Sequence, residues 1–286
     1  MTLVTVDFVS IGVLCAPTFR DRISMRVAAS GLILTLVVVG TAFAASERKS
    51  ANAERERSTA SASSPVIILG FLGGHVRHDN MLHTEVQLAA RLRAEFSASA
   101  HAEVFENRRE SEAFTQVLRL LDADRDGELS ETEKRGARII LYGHSWGAAA
   151  VIALARQLEK DSIPVLLTIQ VDSITRHHVD DALVPANVSE AINFYQPDSV
   201  LHGRPEIRAV DSQHTKILGN FRFDYKASPV SCSDGYPWLV RHFAKPHAEI
   251  ECDPSVWNQV EALIRSKLVP APEAAQALAT SGAKTN

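Results

Sequence analysis

The sequence predicts an α/β domain with a mostly parallel sheet and helices on both faces. Its apolar runs are continuous rather than alternating, which is typical of strands buried on both sides. These runs alternate along the chain with segments whose apolar residues recur at helical spacing. A length of 286 residues and a hydrophobic content of 45 % are enough for one substantial core, so we expect a single main domain.

The N-terminal region has the three parts of a secretory signal peptide. Met25 and Arg26 form a short basic start, an apolar stretch continues through Val39, and Ala42–Ala44 supplies an A-x-A cleavage site. We therefore predict that residues 1–45 are a signal peptide region, with Met25 as the alternative start. The protein is then secreted or periplasmic and has no stable membrane span after cleavage. The alternative is a membrane anchor formed by the same apolar segment, although that segment is shorter than a spanning helix usually needs.

The segments that flank the domain are predicted to be disordered. Residues 46–64 are rich in Ser, Ala and charge, and residues 269–286 are rich in Ala, so the domain spans residues 65–268. The formal net charge of -4 provides no basic field, and we therefore expect no nucleic-acid partner.

The first part of the domain predicts strand, loop, helix, strand and helix. Pro65–Leu69 is a buried strand, and the glycine-rich segment Gly70–His75 follows it as a loop. Thr84–Phe96 has apolar residues at helical spacing, Ala102–Phe105 is a weak second strand, and Glu110–Leu121 returns to helical spacing.

The next segment, Asp122–Glu133, matches the calcium-binding EF-hand loop pattern at every specified position. Three aspartates at alternate positions, a glycine at the turn and a terminal glutamate gather oxygen ligands for a hard cation. No partner EF-hand exists in the sequence and the exiting helix is cut short, so we predict a structural calcium site. An acidic solvated turn is the alternative. The expected ligands are the side chains of Asp122, Asp124, Asp126 and Glu133, the carbonyl of Glu128, and Ser130 directly or through water.

The pentapeptide Gly143–Gly147, with the sequence GHSWG, lies between a predicted strand and a predicted helix. The apolar run Ile139–Tyr142 precedes it, and an alanine-rich helical pattern that ends near Leu158 follows it. The two glycines leave room for a sharp turn that lifts the Ser145 hydroxyl above the sheet and strains the serine backbone. Ser145 is therefore the candidate nucleophile, and an ordinary Gly/Ser turn is the alternative.

This arrangement of strand, glycine-flanked serine and helix resembles the nucleophile elbow of α/β-hydrolase lipases and esterases. The resemblance spans the whole predicted domain, but only the elbow and the calcium loop are specific. It implies an oxyanion hole with one N–H from the glycine-rich loop, where Phe71 and Leu72 are the candidate donors, and one from Trp146 after the nucleophile. A plain connection from strand to helix is the alternative for the loop.

The resemblance also implies a triad acid after a later strand. The apolar run Ile163–Val171 ends at Asp172, and a further predicted strand, Ala191–Gln196, leads to Asp198. Both aspartates satisfy the chain order serine, acid, histidine. We favour Asp172 because it follows its apolar run directly, and we keep Asp198 as the alternative acid.

The family places its general base in a loop just before the last helix. Here the last helix is predicted over Pro254–Leu268, and His247 lies in the segment before it. Position along the chain therefore favours His247 over His202, His214 and His242.

The cysteines predict one disulfide. Cleavage after Ala44 removes Cys15 and leaves Cys232 and Cys252, and an even pair in an exported protein favours a disulfide bond. Two buried free thiols are the alternative.

Together these features predict an exported serine hydrolase of the esterase or lipase type. Ser145, His247 and Asp172 would act on a small-molecule or lipid ester without an organic cofactor, and calcium is the only cofactor expected. An amidase or a thioesterase remains open because the same triad serves each. A non-catalytic calcium-binding protein of the cell envelope, on the same fold, is the alternative from another class.

Overall fold

The computed structural model describes residues 65–176, 179–232, 235–236, 242 and 244–268. The predicted signal peptide region, the linker 46–64 and the tail 269–286 lie outside these residues.

The described residues alternate between strands and helices, as the sequence predicts. In chain order the elements are β1 (Val66–Leu72), α1 (Thr84–Phe96), β2 (Ala100–Glu106), α2 (Glu110–Leu121), α3 (Glu131–Arg135), β3 (Ile139–His144), α4 (Trp146–Lys160), β4 (Val165–Val171), β5 (Leu183–Val184), β6 (Val188–Tyr195), β7 (Arg208–Ala209), β8 (Lys216–Arg222), α5 (Lys245–Cys252) and α6 (Pro254–Leu268).

Six of these strands form one parallel sheet in the order β2-β1-β3-β4-β6-β8. The short strands β5 and β7 pair with each other beside it. The predicted fold class, a parallel sheet between helical layers, is therefore confirmed. Parallel neighbours end at the same edge of a sheet, so the carboxyl ends of β1, β3, β4 and β6 lie side by side.

The core has one layer on each face of the sheet. Strand β1 shows why the strand sequences do not alternate: Ile67 and Leu69 face a layer formed with α2 and α4, whereas Val66 and Ile68 face a layer formed with α1, α5 and α6. Both sets of side chains are buried, because helices cover both faces.

The strand β1 is longer than the sequence analysis predicts. Phe71 and Leu72 were predicted in a loop, but both belong to β1, and Phe71 pairs with Phe105 on one side and with Gly143 on the other. Gly70 lies within the strand, and a Cβ at this position would lie 2.5 Å from the Tyr142 ring. This glycine is therefore required for close packing rather than for a turn. The chain leaves the sheet only at Gly73.

Several further elements were not predicted, among them α5, β8 and the short strands β5 and β7. His247 was predicted in a loop, but it lies in α5, an eight-residue helix with Pro246 in its first turn, where proline is well tolerated. The edge strand β8 has a glycine at its centre, and its residues are exposed or only partly buried, so its sequence carries little strand signal. Among the described residues, no helix is both long and apolar enough to cross a bilayer.

Candidate active site

Ser145 occupies the sharp turn between β3 and α4. Its backbone has φ 58° and ψ -127°, which a residue with a side chain adopts only under strain. The flanking glycines permit the turn: a Cβ on Gly147 would lie 2.0 Å from the carbonyl oxygen of Phe71, and one on Gly143 would lie 2.6 Å from the carbonyl carbon of Gly147. Both glycines are thus needed for close approach, as the sequence predicts.

The structure brings Ser145, His247 and Asp172 together. Ser145 Oγ donates to His247 Nε2 at 2.9 Å, and His247 Nδ1 donates to Asp172 Oδ2 at 2.7 Å. The three residues are buried, with exposed fractions of 8 %, 6 % and 0 %. They come from the elbow, from α5 and from the end of β4, so the sheet edge and one helix fix their mutual geometry.

Three further hydrogen bonds hold the Asp172 carboxylate. The Gly203 amide donates to Oδ1 at 2.6 Å, and Gln196 donates through its backbone N–H at 3.2 Å and through Nε2 at 2.7 Å. Asp172 itself has a positive φ of 45°, so these contacts also stabilise a strained turn. The role of Gln196 and Gly203 was not predicted from the sequence, and no motif marks these residues.

The alternative acid and two of the other histidines have different contacts. Asp198 accepts from the Tyr225 amide at 3.0 Å and lies 3.8 Å from Lys226 Nζ. His214 is exposed and donates to Asp211, and His202 Nδ1 donates to the carbonyl group of the next residue.

The main chain at Gly73 passes close to the nucleophile. A Cβ on Gly73 would lie 2.8 Å from Ser145 Cβ and 3.4 Å from its Oγ. Asn107 Nδ2 fixes this segment by donating to the Leu72 carbonyl at 2.9 Å and to that of Gly74. On the other side, Trp146 is the first residue of α4, where a backbone N–H has no partner within the helix. Phe71 and Leu72 were predicted as the oxyanion donors in this loop, whereas Gly73 was not.

A cavity of about 890 Å³ opens beside Ser145 and His247. Its apolar wall is formed by branched or aromatic side chains, those of Val76, Leu82, Trp146, Ile174, Leu201 and Tyr236. The site is therefore a largely apolar recess with the hydrogen-bonded serine in its wall, as ligand pockets commonly are.

A buried polar cluster lies behind the histidine of this site. His144 Nε2 donates to the main-chain carbonyl of His247 at 3.2 Å, and the two rings are 4.5 Å apart. Burial lowers the pKa of His144 to about 4, so its ring is neutral at pH 7. Its other nitrogen, Nδ1, lies 3.5 Å from Glu251 Oε2. This cluster was not predicted, since its members are far apart in the sequence.

The acidic loop brings three of its predicted ligands together. One carboxylate oxygen from each of Asp122, Asp124 and Asp126 lies within 4.8 Å of the others. Asp122 also accepts from the amides of Asp126 and Gly127 at 3.2 and 3.1 Å, so the loop already curls around this carboxylate.

The remaining predicted ligands of the loop are placed differently. Glu133 accepts from the backbone N–H of Ser130 at 2.9 Å and from its hydroxyl at 2.8 Å, forming the capping box of α3. Glu128 is exposed, and its amide donates to Asp126. The structure therefore does not place Glu133 in the three-aspartate cluster.

Cys232 and Cys252 form a disulfide, as predicted, with their Cα atoms 5.8 Å apart. The bond ties the segment that ends at Cys232 to the end of α5, which carries His247.

No family model and no curated protein sequence matches this chain. Solved structures show distant similarity. A cutinase-like protein from Cryptococcus sp. aligns at 10 % identity over 72 % of this chain and 97 % of that chain, with a TM-score of 0.37. A thermostable esterase from Pseudomonas putida aligns at 10 % identity over 72 % and 73 %, with a TM-score of 0.36. A dienelactone hydrolase-like promiscuous phosphotriesterase from metagenomic libraries aligns at 16 % identity over 73 % and 89 %, with a TM-score of 0.32.

Similarities this weak carry no argument about activity. The fold class follows from the chain's own parallel sheet, with the strained serine between β3 and α4, and it is α/β-hydrolase-like.

Proposed function

We propose that this protein is a serine hydrolase of the esterase or lipase type. The observation that carries the proposal is the continuous chain of hydrogen bonds from Ser145 through His247 to Asp172. Ser145 and His247 line a largely apolar cavity. A buried carboxylate, an imidazole and a strained serine in this order form the usual arrangement for nucleophilic attack on an acyl carbonyl.

Each member has a defined role in the proposed reaction. His247 Nε2 accepts the Ser145 hydroxyl proton while Oγ forms a bond to the carbonyl carbon, and the same proton then passes to the departing alcohol. A water molecule then attacks the acyl-enzyme with His247 as the base, which releases the acid and restores the serine. Asp172 keeps the proton of the neutral ring on Nδ1, which leaves Nε2 free to act as the base, and it stabilises the imidazolium that forms.

The oxyanion is proposed to lie between α4 and the end of β1. The N–H of Trp146 points from a helix N-terminus, where the helix dipole favours negative charge. Phe71 and Leu72 were the candidates for the second donor. The close approach of Gly73 to Ser145 adds the Gly73 amide to them, and the strand pairing of Phe71 on both sides makes Phe71 the weakest of the three.

The substrate is proposed to be a small-molecule or lipid ester with an apolar acyl or alcohol part. The apolar wall of the cavity supports this class. Acyl transfer by this route needs no organic cofactor.

A fluorophosphonate probe tests the proposal directly. The wild-type protein should be labelled and Ser145→Ala should not, while both keep the same melting temperature. No labelling of folded, calcium-loaded wild-type protein would favour the non-catalytic alternative. Once labelling is established, p-nitrophenyl esters of increasing chain length, with the matched anilide and thioester, separate an esterase from an amidase or a thioesterase.

We also propose that the acidic loop binds calcium as a structural ion. The three converging aspartates support this, and Glu133 would have to turn from Ser130 to complete the site. Calcium should raise the melting temperature, and chelation should lower it. Glu133→Gln should abolish this response while still capping α3, because glutamine also serves in a capping box.

Glu131→Gln is the matched control for the calcium experiment. Glu131 is a neighbouring exposed carboxylate that pairs with Lys134 outside the predicted ligand set, so the variant should keep the calcium response. An unchanged melting temperature of the wild type with and without calcium would mean that the loop is only an acidic turn.

Export is proposed from the predicted signal peptide and is supported by the disulfide, since disulfides persist in oxidising compartments. Intact mass of the natively produced protein tests it. A chain that starts after Ala44 supports cleavage, whereas a membrane-bound chain that retains Val39 supports the anchor.

A further inference from the structure

The polar cluster behind the active site contains two buried carboxyl groups that lie close together. Glu85 in the first turn of α1 is 0 % exposed, and Glu251 near the end of α5 is 5 % exposed. His83, at the N-cap position of α1, is 8 % exposed and its Nδ1 contacts Glu251 Oε1. One ligand atom from each of these three residues lies within 4.8 Å of the other two. Residues from the two ends of the domain thus converge on one buried point.

In the part of the chain that the structure describes, the carboxyl group of Glu85 is buried without a hydrogen bond that would stabilise its charge. Neither of its carboxyl oxygens has a hydrogen-bond partner among the described residues. Glu85 is fully buried, and one of its carboxyl oxygens lies within 4.8 Å of one of Glu251. An unpartnered buried carboxyl group is costly, so it needs either a proton or a cation beside it.

The imidazole of His144 has an unprotonated nitrogen close to the Glu251 carboxylate. A carbonyl oxygen can only accept, so the bond from His144 Nε2 to the carbonyl of His247 fixes the proton of the neutral ring on Nε2. Nδ1 is then an unprotonated nitrogen 3.5 Å from Glu251 Oε2. Two electron-rich atoms that face each other in a buried site are stabilised by a cation that both can contact.

We propose that His83, Glu85 and Glu251, with His144 beside them, form a binding site for a divalent transition-metal ion of the zinc class. Imidazole nitrogens and carboxylate oxygens are the ligands that such ions prefer, whereas calcium takes oxygen ligands. Zinc bonds of about 2.0–2.2 Å in tetrahedral geometry separate two ligand atoms by about 3.4 Å, close to the spacing of His144 Nδ1 and Glu251 Oε2. The hydrogen bond between His83 and Glu251 is shorter and must open when the ion enters.

The proposed metal site is accessible from solvent, and an ion bound there would stabilise α5. His83, His144 and Glu251 line the active-site cavity, so an ion reaches them from solvent through the same opening as a substrate. Glu251 lies four residues after His247, on the same face of α5. A metal that joins α1 to α5 therefore stabilises the helix that holds His247, without contacting the reacting atoms.

Zinc binding by the full chain, without a histidine tag, tests the proposal independently of any hydrolase activity. After chelation and dialysis, Zn²⁺ alone is titrated by calorimetry, and metal content is measured by mass spectrometry. The wild-type protein should bind one equivalent, and saturation should raise its melting temperature by about 5 °C or more. Co²⁺ in place of Zn²⁺ should give the visible absorption of a four-coordinate nitrogen and oxygen site.

Three variants locate the ion. Glu85→Gln removes the charge of the proposed ligand at almost unchanged shape, and it should abolish both the uptake and the cobalt spectrum. Glu95→Gln changes an exposed glutamate of the same helix, and Glu133→Gln changes the calcium loop, so both should bind zinc as the wild type does. No zinc uptake by the wild type, or equal uptake by Glu85→Gln, would overturn the proposal and leave a proton shared by the two carboxyl groups as the account of the cluster.

Discussion

Replacement of Asp172 by asparagine is the substitution for which the structure makes the sharpest prediction. Oδ1 accepts from two backbone amides, those of Gly203 and Gln196, and Oδ2 accepts from Gln196 Nε2 and His247 Nδ1. The Gln196 amide cannot simply reverse, because its Oε1 accepts from two backbone N–H groups of the following turn. An asparagine NH₂ therefore faces donors in either orientation.

Both orientations of the asparagine are harmful, and for different reasons. With NH₂ at the Oδ2 position, His247 must offer an unprotonated Nδ1, so its proton moves to Nε2 and the ring can no longer accept the Ser145 proton. With NH₂ at the Oδ1 position, two backbone donors lose their acceptor at about 1–3 kcal/mol each. We expect Asp172→Asn to lower kcat by about 10⁴-fold, equivalent to about 5.5 kcal/mol, and to lower the melting temperature.

Asp198→Asn is the matched control, since Asp198 is a half-buried acid that accepts from the Tyr225 amide and lies near Lys226. Steady-state hydrolysis of a p-nitrophenyl ester and the rate of fluorophosphonate labelling measure the loss in both variants. The control should keep kcat within a few-fold of the wild type. A larger loss in Asp198→Asn than in Asp172→Asn would refute the assignment of the acid.

Three more substitutions or treatments test other parts of the structure. His247→Ala should remove nearly all turnover without unfolding the protein, and substantial residual activity would assign the base to another histidine. Gly147→Ala should destabilise the domain by more than about 1–3 kcal/mol in thermal unfolding, because its Cβ would lie 2.0 Å from the rigid Phe71 carbonyl; an unchanged melting temperature would contradict this reasoning. The native protein should have no titratable thiol at Cys232 or Cys252, and reduction should cost about 3 kcal/mol of stability; two reactive thiols before reduction would contradict the disulfide.

The sequence was sufficient to predict the parts of the fold that depend on local patterns. The helices Thr84–Phe96, Glu110–Leu121 and Pro254–Leu268 have the predicted bounds, because each has a regular apolar face. The elbow was predictable because the glycines, the serine and the flanking elements are contiguous. The contacts between Asp172 and its donors were not, since Gln196 and Gly203 are 24 and 31 residues away and their types are common in turns.

The end of β1 shows why a glycine-rich segment can be misassigned. A glycine after an apolar run predicts that the strand stops, and Gly70 was interpreted in that way. The structure instead uses Gly70 to accommodate the Tyr142 ring of the neighbouring strand, and this packing partner is 72 residues away in the sequence. The loop therefore begins at Gly73, which is why we add the Gly73 amide to Phe71 and Leu72 as a candidate oxyanion donor.

The helix α5 links the separate features of this site. It carries His247, and four residues later it carries Glu251, whose carboxylate lies between His83 and His144. Its last residue, Cys252, is fixed by the disulfide. A helix of eight residues has little intrinsic stability, so it depends on these tertiary contacts. Loss of any one of them should displace the imidazole relative to Ser145, and because proton transfer requires a hydrogen bond of the observed length, turnover should fall before the domain unfolds.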